Sequence, residues 1–211
     1  MSKLFNMDNP FWAAMGKVAD LIVLNFLFIV CCIPVFTIGA SWTALYFVTI
    51  RMVKKEEGYI IKDFFRSFKE NFKQATGIWL LILLLAAVFF LDFKVYKLLP
   101  GTISKVLTVI ATVLAVVVFI TAIYVFPILS RFVNSVRNTI KNAFLISIMH
   151  VPYTILFVIL FFLPFVGLAF FIWIAPLVIM LGFSAPAYWA SVLWVRIFKK
   201  FEPKDDEEIP E

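Results

Sequence analysis

The sequence predicts an all-α integral membrane protein, a helical bundle of about six transmembrane helices. Three observations carry that prediction. Of the 211 residues, 64% are hydrophobic and only 15% are charged, against roughly 45–50% and about 25% in a soluble domain. The mean hydropathy is +1.02. Apolar runs long enough to cross a hydrocarbon layer of about 30 Å recur along the chain. A globule of this length leaves roughly a third of its chain surface in water and has no place to hide such an excess. Soluble enzymes, nucleic-acid-binding proteins and secreted disulfide scaffolds are therefore excluded as first readings. The net charge of +6 reflects basic residues flanking apolar spans and is not a nucleic-acid footprint. The lipid bilayer is the partner that the composition names.

The elements follow in order. Asp8 and Asn9 ahead of Pro10 are an N-cap pair followed by proline at the first helical position, so helix 1 opens there and runs to Ile33. The stretch from Leu21 to Ile33 resembles a signal-peptide core, but the 20 residues ahead of it include Asp8 and Asp20, so it reads as a retained helix. Helix 2 starts near Thr37 or Ser41 and ends near Val53. The others are expected at about Thr76–Leu98, Ile103–Ser130, Phe144–Leu163 and Gly167–Phe198, with Pro34, Pro100 and Pro164 marking the short turns. Residues 10–53 also admit a five-helix reading as one span broken at Pro34. Six helices place 16 Lys and Arg on one side and 3 on the other, and five helices place 14 against 5. Both put the C-terminus in the cytoplasm; six put both termini there and give the stronger asymmetry.

An internal repeat supports six. Phe64, Phe65, Phe68 and Phe72 correspond to Phe132, Val133, Val136 and Ile140 at a constant offset of 68, and Ser67, Lys69, Lys73 and Ala75 match Ser135, Arg137, Lys141 and Ala143. That spacing is one stripe of an α-helix. Ile197, Phe198 and Phe201 before Pro203 offer a shortened third copy. The expected organisation is one membrane domain over residues 1–200, with hairpins at about 10–53, 76–130 and 144–198. Amphipathic helices follow the first two at about 59–75 and 131–143, and residues 201–211 form an acidic disordered tail. The stripes either lie in the headgroup layer or dock a cytoplasmic partner as coupling helices do. Neither copy carries the signature of ABC permeases.

Chemistry-bearing residues are few. Cys31 and Cys32 are adjacent, a spacing that suits neither a disulfide nor a metal site, and no metal or cofactor is expected. The chain has one histidine and no Ser-His-Asp, HExxH or P-loop pattern, so no catalytic residue is assigned and no enzyme expected. Ionisable or polar groups inside a span warrant a functional hypothesis. Asp20, Asn25, His150 and Tyr153 are candidates to line a cavity, with helix packing as the alternative. Lys17 and Asp20 are spaced for an i, i+3 pair, and Pro152 between His150 and Tyr153 should kink helix 5.

Asn9-Pro10, Asn25, Pro34, Thr37, Gly39, Phe64-Phe65, Phe68, Asn71 and Phe72, taken together and in order, resemble the YesL family of bacterial multi-pass membrane proteins. The likeness is strong over about residues 4–80 and extends to residues 130–143. The family is largely of unknown function. Its members often occur beside genes for polysaccharide breakdown and sugar ABC transporters, so the resemblance implies an accessory or regulatory role in bacterial carbohydrate uptake. Subunits of a sugar ABC transporter would be the partners. Phe64, Phe65, Phe68, Phe72, Phe132, Val133, Val136 and Ile140 would then be the contact surface. The alternative is an autonomous small transporter or channel for a sugar or ion.

Overall fold

The computed structural model describes residues 10–96 and 101–201. Among them are eight α-helices: α1 (Pro10–Cys32), α2 (Ile38–Lys54), α3 (Ile60–Tyr96), α4 (Gly101–Arg131), α5 (Val136–Met149), α6 (Val151–Phe170), α7 (Ala175–Leu181) and α8 (Ser184–Phe198). Short 3-10 turns lie at Val35–Thr37 and Ile172–Ile174. The described residues contain no strand, and the all-α fold expected from composition is the fold found. Five helical segments are long and apolar enough to cross a membrane, or six if α7 and α8, bent by 56°, count as one span.

The first turn is built as its sequence dictates. Pro34 cannot continue α1, and the hydroxyl of Thr37 donates to the carbonyls of Cys31 and Pro34, covering acceptors the helix end leaves open. α2 then starts with Gly39, Ala40, Ser41, Thr43 and Ala44, all buried. Small residues let backbones approach closely. A Cβ on Gly39 would stand 2.6 Å from the Ala75 carbonyl oxygen and 2.7 Å from the Trp79 Cβ. The buried hydroxyls of Ser41, Thr43 and Thr49 each bond a carbonyl four residues back, so these three groups find local partners. The result is a central helix, 61% of whose apolar window is covered by protein, against 6% for α3 and α4.

The amphipathic segment expected at 59–75 is no separate helix. It is the first half of α3, which runs unbroken for 37 residues. Nothing between Ala75 and Gly77 stops a helix; only the environment of the side chains changes there. The segment at 131–143 differs the other way. α4 ends at Arg131, residues 132–135 form a loop held by Gln74 Nε2 donating to the Asn134 carbonyl at 2.7 Å, and Ser135 caps α5. The third hairpin also departs from expectation. The break falls at His150 because Pro152 can neither donate a hydrogen bond nor tolerate the preceding turn. Pro164 lies inside α6, which continues to Phe170, since prolines are accommodated in membrane helices whose neighbours satisfy the freed groups. Pro100 and residues 202–211 lie outside the described residues.

Hairpin depth is the other difference. Trp79 Nε1 donates to the Val35 carbonyl at 2.8 Å, so the α1–α2 turn meets α3 midway. From Trp79 to the end of α3 at Tyr96 is a rise of about 26 Å. α2 consequently packs along the charged half of α3, and the α3–α4 pair extends beyond it.

Candidate functional site

Asn25 is fully buried and makes three bonds to the opposite end of the chain. Its Nδ2 donates to the Ile179 carbonyl at 2.8 Å, and its Oδ1 accepts from the backbone N–H groups of Phe183 at 3.0 Å and Ser184 at 2.9 Å. These are backbone groups freed where α7 stops and α8 starts, so one amide closes the break. The side chain is thus engaged with the α7–α8 break.

The α5–α6 break is closed similarly by α4. Tyr124, also fully buried, shares a 2.8 Å hydrogen bond with the Thr154 hydroxyl and lies 3.3 Å from the His150 carbonyl, to which it donates. His150 Nδ1 sits 3.2 Å from the Ile146 carbonyl, and the His150 and Tyr153 rings meet edge-on at 5.8 Å. Asp20 and Lys17 stand exposed on α1, and no ion pair joins them among the described residues. The four candidate cavity residues thus occupy three separate places: Asn25 at one break, His150 and Tyr153 at another, Asp20 on an outer face.

At the charged end, Arg51 holds the α2–α3 connection. It meets Asp63 at 2.8 Å and Glu56 at 3.1 Å, and Arg66 meets the other Asp63 oxygen at 3.2 Å. Arg51 and Arg66 also lie over the Phe47 ring, at 5.7 and 5.4 Å. Lys55 takes the left-handed conformation that ends α2. A Cβ on the nearby Gly58 would crowd the Asp63 carboxylate and the Arg51 guanidinium.

The aromatic stripes divide between inside and outside. Phe64 is fully buried and begins a ladder, Phe64 to Phe68 at 6.3 Å and Phe68 to Phe72 at 5.5 Å, that joins the core cluster. Phe65 is exposed, beside the exposed Tyr59 and Ile61. In the second copy Phe132 packs edge-on against Phe198 at 5.2 Å and Ile140 is half-buried, while Val133 and Val136 are exposed. Of the positions offset by 68, Phe65 and Val133, Phe72 and Ile140, and Ala75 and Ala143 share their burial, whereas Phe64 is more buried than Phe132 and Phe68 more than Val136.

A cavity of about 250 Å³ lies between α2, α3, α4 and α6, and ten of its thirteen lining residues are aromatic. Trp42 and Tyr46 of α2, Trp79 of α3, Phe126 of α4, Phe161 of α6 and Phe183 are part of its wall. Sequence reasoning missed it by following ionisable groups; rings among 26 phenylalanines carry no signal of a shared wall. The hydroxyl pairs Tyr124–Thr154 and Thr49–Ser191, the latter 2.7 Å apart, were equally hidden. No group of three His, Cys, Asp or Glu side chains suited to a metal ion occurs among the described residues.

No curated protein and no solved structure matches the chain. Residues 21–93 match the family model described as "Protein of unknown function, DUF624". That segment contains Asn25, the Pro34–Thr37 turn, the Arg51–Asp63 pair, the phenylalanine ladder and three of the cavity tryptophan and tyrosine residues. The spans and this match together make the chain a multi-pass membrane protein that carries, over residues 21–93, a domain of the DUF624 family, the YesL type.

Proposed function

We propose that this protein is a non-catalytic accessory or regulatory subunit of bacterial carbohydrate uptake, seated in the cell membrane with both termini cytoplasmic and touching an ABC transporter. The observation that carries this reading is the make-up of α3. An exposed edge of Tyr59, Ile61 and Phe65 lies among Lys62, Arg66 and Lys69, on a helix that passes without a break into an apolar span. A partner bound on that edge would act directly on the membrane part of the same rigid element. Val133 and Val136, exposed beside Arg137, give a second patch of the same character. The buried phenylalanines hold these patches in place and do not form them.

The lysine and arginine asymmetry supports the orientation. An autonomous sugar or ion pathway draws less support, because Asn25 is committed to backbone groups and the cavity wall is nearly all ring and aliphatic carbon.

In-cell crosslinking followed by purification from mild detergent tests the reading. A permease or ATPase subunit of a sugar transporter should be recovered with the wild-type chain. Phe65→Glu together with Val133→Glu should abolish that recovery while insertion continues. Recovery that survives both charges would end the docking role, and a homo-oligomer without such a subunit would end the accessory one.

A further inference from the structure

We propose that the aromatic cavity is a binding site for one acyl chain of a membrane lipid. Three features of the site lead there, none of them dependent on the partner reading above. First, the wall offers a ligand nothing ionic: the residues of α2, α3, α4 and α6 that line it are aromatic or aliphatic. A water placed there finds too few polar partners to be held, so the occupant is apolar. Secondly, the cavity opens sideways. Phe119 on α4 and Phe162 and Phe165 on α6 line it and are also exposed on the outer surface. The neighbouring outward side chains of the same helices, Val113 and Val116 on α4 and Ile159 and Val166 on α6, are apolar and exposed as well. These helices are candidate spans, so acyl chains are the medium at the opening, and the site is continuous with the lipid-facing surface. Thirdly, its size suits a slender chain. A volume of about 250 Å³ is several times the roughly 30 Å³ that one water occupies in the liquid, and falls below the 300–1,000 Å³ typical of sites that enclose a whole drug-sized ligand. Phe119 and Phe162, 6.5 Å apart between centroids, flank the opening from the two helices.

Trp42 and Trp79 line the cavity and serve as reporters. The full chain would carry Trp12→Phe, Trp173→Phe and Trp189→Phe, removing the exposed tryptophans and leaving Trp42, Trp79 and the buried Trp194. It would be reconstituted in phosphatidylcholine vesicles with dibrominated acyl chains, bromine being a contact quencher. The expected result is loss of the Trp42 and Trp79 emission, with recovery on adding Ala122→Phe from α4 or Val158→Phe from α6, each of which fills the cavity. Either variant suffices if the other does not fold. No loss of emission in brominated vesicles would overturn the proposal. Loss that persists in the filled variants would overturn it too, since the chain would then lie on the outer surface. Quenching by iodide in place of brominated lipid would show an aqueous cavity and reject an acyl occupant.

Discussion

Asn25 and Gly39 matter for opposite reasons, one for the bonds it makes and one for the atom it lacks. Interhelical hydrogen bonds in membranes contribute only about 0.6 kcal/mol each on average. Leaving a buried N–H without a partner costs about 1–3 kcal/mol. Asn25→Leu removes three bonds and strands the N–H groups of Phe183 and Ser184. It should therefore lower stability by about 2–4 kcal/mol, read as a fall in melting temperature of the detergent-solubilised protein. An unchanged melting temperature would mean that the α7–α8 break closes without Asn25. Gly39→Ala should cost about 1–3 kcal/mol by overpacking, because its new methyl meets backbone at 2.6 Å. Gly77→Ala is the control. Nothing lies within 4 Å of a Cβ there, and helix propensity alone favours alanine by up to about 1 kcal/mol. Asn25 was legible as the polar residue deep in an apolar run; its partners, 154 to 159 residues away, were not.

For the elements, the turn at Pro34 behaves as local rules require, while the Asp8–Asn9 cap expected ahead of Pro10 lies outside the described residues. α3 shows where such rules stop. A periodicity that changes from amphipathic to uniformly apolar looks like two helices, yet the backbone has no reason to break. Its first half is fastened to α2 by Arg51 and Asp63, whose side chains are 19% and 11% exposed. That partial burial lifts the pair above an ordinary surface contact. Asp63→Asn should destabilise the α2–α3 connection by about 1–2 kcal/mol, and hydrogen exchange of the 55–62 amides should quicken. If exchange there does not change, the clamp lies elsewhere. The weaker Glu56–Arg131 approach, at 3.8 Å, should by contrast be screened by salt.

At the scale of the whole molecule, the α1–α2 turn lies about 26 Å short of the far end of α3, nearly the thickness of a hydrocarbon core. With Cys31 and Cys32 changed to serine, a membrane-impermeant thiol reagent should label Ile103→Cys near the start of α4 and leave Ile33→Cys unlabelled from that same side. Equal labelling would place both turns at one aqueous face and contradict the observed depth. By itself the sequence determined that this is a helical membrane protein, that it has five or six apolar segments and that Pro34 ends the first of them. Those properties follow from solvent preference and backbone sterics, both local. Only the tertiary structure decided that the Phe64–Phe68–Phe72 ladder faces inward, that α2 is enclosed by protein, that Asn25 ties α1 to the α7–α8 break and that ten aromatic residues wall one cavity. The reason is physical. In a bilayer an apolar side chain is equally at home against lipid or against protein, so hydropathy does not record which of the two it meets. Close approach at small residues such as Gly39, and the few polar atoms that need partners, make that choice.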